Sequence, residues 1–130
     1  MARRINSRVV AGQHKDKQMK KLCFISSPYS HDDKEVVEEN FRRVTRFAAE
    51  LNKQGIVAIS PITYGHTLVK FVTMPTDWDF WRDFCLSLLV KCDEMIVYQM
   101  PGWDKSRGIE EEMSFARDHN IPITYKKYEE

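Results

Sequence analysis

The chain has 130 residues, 42% of them hydrophobic and 30% charged, with a formal net charge of +1. That is enough chain for one domain with its own core, and the composition argues against disorder and against a membrane protein. No apolar run reaches the length of a transmembrane helix and no signal peptide is recognisable, so a cytoplasmic protein is expected. The cysteines Cys23, Cys85 and Cys92 are odd in number and sit in strand-like or helix-like segments. They read as buried free thiols in a reducing compartment. With no CxxC pair, no HExxH and no Cys/His cluster, neither a metal site nor a cofactor is expected.

Residues 1–18 carry Arg3, Arg4, Arg8, Lys15 and Lys17 against Asp16 alone. Without apolar periodicity they read as a flexible basic tail rather than a nucleic-acid arm, ahead of an α/β domain at 19–130. Leu22 to Ser26 is a β-branched and aromatic run that ends in the loop signal Ser26-Ser27-Pro28-Tyr29-Ser30. Asp32 or Asp33 can cap a helix with apolar positions Val37, Phe41, Val44, Ala48 and Leu51, ending by Gly55. Ile56 to Ser60 is a second strand stopped by Pro61. The stretch from Ile62 to Pro75 is ambiguous, with a possible short helix after Gly65 and His66. Thr76-Asp77-Trp78-Asp79 resembles a capping box before a helix to about Cys92. Glu94 to Met100 is a third strand, a helix from Ser106 to about Asn120 follows, and Ile121 to Tyr125 is a fourth strand.

Alternating strands and helices predict right-handed crossovers and a parallel sheet of four to five strands covered on both faces. The expected fold is a single flavodoxin/Rossmann-like three-layer α/β domain of strand order 2-1-3-4. Its ligand site lies at the switch point between strands one and three. The loops that emerge there are Ser26-Ser27-Pro28-Tyr29 and Pro101 to Gly108.

The second of these loops is a small-residue turn between a strand and a helix N-terminus, where free N–H groups and the helix dipole favour an anion. Ser106 fits the N-cap, and Gly108 allows close backbone approach to a ligand. Ile109, Met113 and Ala116 mark the expected buried stripe of that helix. Glu112 borders the stripe and leans back toward the turn, whereas Glu110 and Glu111 read as solvated.

These features resemble the nucleoside 2-deoxyribosyltransferase-like superfamily, and more closely a small family of uncharacterised phage and bacterial members. The resemblance rests on Ser26-Ser27-Pro28-Tyr29-Ser30, on Ser60-Pro61-Ile62 with His66, on Cys92-Asp93-Glu94, and on Gly102-Trp103…Ser106…Gly108…Glu112…Ala116. The superfamily's Ser-x-Gly-x-x-x-Glu-x-x-x-Ala pattern holds the 5′ end of the substrate and supplies a nucleophilic glutamate. Its serine and glycine form is similar to the 2′-deoxynucleoside 5′-phosphate N-hydrolases. The family's sugar-orienting aspartate stands eight residues before the one that leads into strand three. Counting back from Asp93 lands on Cys85, so Asp83, or else Asp79, is the candidate for that role.

The resemblance implies an enzyme that releases the base of a nucleoside 5′-monophosphate through a glycosyl-Glu112 intermediate, in the manner of retaining glycosidases. Nucleoside base exchange and a non-catalytic nucleotide sensor or sponge are the alternatives. Ionisation of Glu112 is expected to be favoured by the helix N-terminus. Ser106, Gly108, Ser26 and Ser27 are expected to hold phosphate and sugar, with Tyr29 beside them. Trp103 either stacks on the base or covers the core. His66, Tyr64 or Asp83 supplies the proton to the leaving base, and the residues alone leave that choice open. The resemblance also implies a homodimer or larger assembly, with no membrane or nucleic-acid partner.

Overall fold

Leu22–Ser26 (β1) is an inner strand of the computed structural model, which describes residues 19–130; the tail expected at 1–18 lies outside them. Cys23, Phe24, Ile25 and Ser26 are all buried, as expected of a strand with neighbours on both edges and helices on both faces. The sheet also contains Val57–Ile59 (β2), Glu94–Gln99 (β3) and Ile123–Lys127 (β4), all parallel, in the order β2-β1-β3-β4. This is the flavodoxin/Rossmann-like topology that the alternation of elements predicts.

Helix α1, Lys34–Lys53, is capped by Asp33, whose carboxylate accepts the Glu35 N–H at 2.9 Å. Gly55, at φ +92°, turns the chain back into β2. The stretch left ambiguous by its sequence forms three turns of helix, α2, Pro61–Phe71. Ser60 is its cap, with Oγ 3.1 Å from the Thr63 N–H, and Pro61 occupies the first position, where a missing N–H costs nothing. Pro61 therefore both ends the strand and starts a helix.

Helix α3, Trp78–Leu89, takes its cap from Asp77 and not from Thr76 as the capping-box reading expects. The Asp77 carboxylate is placed to accept the Phe80 N–H at 3.3 Å. A short 3₁₀ turn, Trp103–Lys105, precedes α4, Arg107–Asp118. The fourth strand begins two residues later than its apolar run suggests, because Ile121 is buried before the ladder starts.

One face of the sheet packs Phe24, Met95 and Val97 against Cys85 and Leu89 of α3 and Ile109 and Ala116 of α4. The other packs Ile25, Tyr98 and Met100 against Val44, Phe47 and Ala48 of α1 and Ile62 of α2. Strand alternation thus decides which helices each side chain of β1 meets. Ser26 shares the face of Phe24 and points toward α3 and α4. Among the described residues no helix is long and apolar enough to cross a membrane.

Candidate functional site

A cavity of about 400 Å³ opens beyond the carboxyl ends of β1 and β3. The two loops expected at the switch point do converge there: residues from Ser26 to His31 line one side, and Pro101, Gly102 and Lys105 to Gly108 the other. Trp78, Trp81 and Cys85 of α3 form a third wall, and Pro61, Ile62, Gly65 and His66 of α2 a fourth.

Glu112 stands in the wall and is only 5% exposed. The buried stripe of α4 is Ile109, Glu112 and Ala116, so Glu112 lies on the stripe and not at its border; Met113 is only half-buried. Ser26 Oγ donates to Glu112 Oε1 at 2.5 Å, and the Cys85 thiol lies against the same carboxyl group. Burial pushes the Glu112 carboxyl up to about 7, although the hydrogen bonds from Ser26 and Cys85 pull the other way. The expectation that the helix terminus keeps it ionised is therefore corrected: desolvation dominates. Burial, and then the neighbouring Glu112, raise the Cys85 thiol far above its usual range, so Cys85 acts as a donor and not as a thiolate.

The turn before α4 has the expected cap. Ser106 Oγ accepts the Ile109 N–H at 3.2 Å, which leaves the hydroxyl proton free for a ligand. The Arg107 and Gly108 N–H groups belong to the first turn and have no acceptor within the helix. Lys105 and Arg107 add positive charge at the same wall. The Arg107 side chain is also tied outward, to Asp79 and Glu111, each at 2.9 Å. Gly108 has a different neighbour from the expected ligand: a Cβ there would sit 3.2 Å from Trp78 Cε3. The close approach is that of the indole wall itself.

Glu111, expected to be merely solvated, is ion-paired. The hydrogen bond from Arg82 at 2.9 Å, reinforced by Arg107, holds its carboxyl down at about 2. It does not line the cavity.

On the α2 side, Tyr29 and His66 are joined. The Tyr29 hydroxyl is 2.8 Å from His66 Nδ1, and His66 Nε2 is 2.9 Å from Glu38 Oε1. The imidazole packs on Phe41 at 4.3 Å between centroids. Asn40, also buried, donates to the Tyr29 carbonyl at 3.3 Å and fixes the loop.

Of the residues the sequence singles out, Glu112, Ser26, Ser27, Tyr29, His66, Ser106 and Gly108 all line this cavity. Three do not. Asp83 is 98% exposed: it lies two residues before Cys85 and so falls on the opposite side of α3. Tyr64 is half-exposed and stacks on Phe84 at 5.5 Å. Trp103 packs on the core beside Tyr125, the covering role of its two alternatives. Cys85, Trp78, Trp81, Asn40 and Lys105 are wall residues that sequence reasoning left unassigned. A usable signal existed for α3, since Trp78, Trp81 and Cys85 repeat at helical spacing and the count back from Asp93 lands on Cys85. Among the described residues no three His, Cys, Asp or Glu side chains are grouped to hold a metal ion.

The sequence model of the family described as Domain of unknown function (DUF1937) matches residues 21–127, and the chain belongs to that family. No curated protein matches it.

Proposed function

We propose that this DUF1937 member cleaves the N-glycosidic bond of a nucleoside 5′-monophosphate, releasing the free base, with Glu112 as the nucleophile. The observation that carries the reading is a buried carboxyl group in the wall of a cavity of about 400 Å³, one helical turn below an open helix N-terminus. The volume falls within the range of small-molecule sites, roughly 300–1,000 Å³. Four residues, a rise of about 6 Å, separate Gly108 from Glu112. That span suits a pentose with its 5′-phosphate at the turn and its anomeric carbon at the carboxylate. The Ser106 hydroxyl, the Arg107 and Gly108 N–H groups and Lys105 offer donors to the phosphate.

Cleavage develops positive charge on the sugar. A carboxylate already stripped of water interacts with that charge far more strongly than a solvated one. Glu112 attacks the anomeric carbon as the base departs with the bonding electrons, and water then resolves the glycosyl ester. The likeness to the nucleoside 2-deoxyribosyltransferase-like superfamily supports the same assignment, as does the unbroken Ser106, Gly108, Glu112, Ala116 spacing. A homodimer or larger assembly belongs to the same reading.

One observation favours a second reading, binding without turnover: Cys85 stands where the superfamily carries its sugar-orienting carboxylate. Incubation with a set of nucleoside 5′-monophosphates, modified pyrimidines included, separates the two by chromatography of free base. The expected result is base release. The monophosphate should exceed its nucleoside by at least about a hundredfold in kcat/KM, or roughly 2.7 kcal/mol. Glu112→Gln should lower turnover by at least about a thousandfold. Tight binding without base release would establish the sensor. Equal use of the nucleoside, with exchange when a second base is added, would establish the transferase.

A further inference from the structure

Both ring nitrogens of His66 are engaged by protein partners, so the imidazole has no free nitrogen to offer a bound base. Its Nε2 faces Glu38 Oε1 at 2.9 Å and its Nδ1 faces the Tyr29 hydroxyl at 2.8 Å. Glu38 is on α1, His66 on α2 and Tyr29 on the loop after β1, so three separate elements align one chain of donors and acceptors. The cavity end of that chain is Tyr29, and its outer end, Glu38, is part-exposed with Lys70 at 3.4 Å and Arg42 at 3.9 Å. The imidazole, 11% exposed, is clamped on Phe41.

We propose that Tyr29 is the acid that protonates the leaving base, recharged by His66, whose ring Glu38 orients. This inference rests on the glycosidase reading above. It replaces the three candidates that the sequence offers, because Tyr64 and Asp83 lie outside the cavity and His66 has both ring nitrogens engaged.

The charge state of Glu38 sets the direction of the relay. The hydrogen bond from His66, with help from Lys70, holds the Glu38 carboxyl below its usual range. An ionised Glu38 only accepts, so Nε2 carries a proton and Nδ1 is the site that changes. In the imidazolium, Nδ1–H donates to the phenol oxygen and the Tyr29 O–H is free to turn toward the base. As the C1′–N bond breaks, its electron pair passes to the base nitrogen, the Tyr29 proton moves to the base, and the Nδ1 proton moves to the phenol oxygen. Neutral His66 remains, with Nε2–H still on Glu38. In the second half, water attacks the glycosyl ester, its proton goes to Tyr29, and the Tyr29 proton goes to Nδ1. Glu112 is released and the imidazolium restored, so the cycle balances without an outside acid. Tyr29 is the catalytic residue here, and His66 and Glu38 are positioning residues. Burial raises the Tyr29 phenol above its usual range, with Glu38 adding to the effect, which keeps the phenol in its proton-bearing form.

Leaving-group dependence tests the relay. The Tyr29→Phe and His66→Gln proteins are assayed with the monophosphate that wild type cleaves and with the 4-nitrophenyl glycoside 5-phosphate of the same sugar, whose aglycone departs without a proton. Thermal melting checks that each variant is folded. For the natural base both variants should lose at least about a hundredfold in kcat/KM; for the nitrophenyl substrate they should stay within about fivefold of wild type. Equal losses on both substrates, or no loss on either, would overturn the relay while leaving Glu112 and the glycosidase reading intact. If His66→Gln does not fold, Tyr29→Phe alone decides. If wild type releases neither base nor nitrophenolate, the glycosidase reading fails and the relay fails with it.

Discussion

At Glu112 two effects oppose each other, and their sizes decide the outcome. A helix N-terminus contributes about 0.3–1 kcal/mol to a nearby carboxylate and fades beyond the first turn, whereas burial of a charge costs several kcal/mol. Glu112 is in the second turn and buried, so its carboxyl sits at about 7 with Ser26 and Cys85 supplying partial relief. As the attacking group it must be ionised, so kcat/KM should rise with pH through about 7. Ser26→Ala removes a hydrogen bond that favours the charged form. The acid limb of the profile should then move to higher pH, and a limb that stays in place would mean that another group controls it.

Helical spacing carries most of the site at the scale of the elements. Trp78, Trp81 and Cys85 on α3 face Ile109, Glu112 and Ala116 on α4, and each set repeats over two turns. The pattern was legible once the helices were placed, but three glutamates in a row blurred which face of α4 was inward. The apolar residues Ile109, Met113 and Ala116 drew the expected stripe slightly to one side of its true centre. Nothing in the sequence foretold that Gly108 makes room for the Trp78 ring. The cap of α4 provides a separable test. Ser106→Ala should cost about 1 kcal/mol of stability in denaturant melts, because the Ile109 N–H loses its acceptor. Nucleotide turnover should fall by about tenfold, since the backbone donors remain. Unchanged stability would show the cap bond to be dispensable.

For the whole molecule, the buried carboxyl couples folding to pH. The folded value of about 7 is above the ordinary 4.5, so between these values the folded state holds more protons than the unfolded chain. Stability from this group is fully present below about 4.5 and is lost as pH rises through 7. Glu112→Gln removes that dependence. The variant should match wild type near pH 4 and exceed it by up to about 3 kcal/mol near pH 8, read from melting curves across the range. A constant difference at every pH would mean that the group is not titrating where its burial puts it.

The alternation of strands and helices, the parallel order β2-β1-β3-β4 and the meeting of the Ser26 loop with the Ser106 turn are all legible in the chain. Those follow from local periodicity, from turn chemistry and from the handedness of crossovers, all written along the chain. Packing in three dimensions, by contrast, leaves Asp83 in solvent and turns Cys85 toward Glu112. It also puts Tyr64 outside the cavity and joins Tyr29, His66 and Glu38 in one chain of contacts. Each of these depends on which side of one helix meets which side of another, and packing between distant segments sets that rotation. The same holds for the ionisation of Glu112: the helix that carries it is visible in the sequence, but the removal of water around it is a property of the folded core.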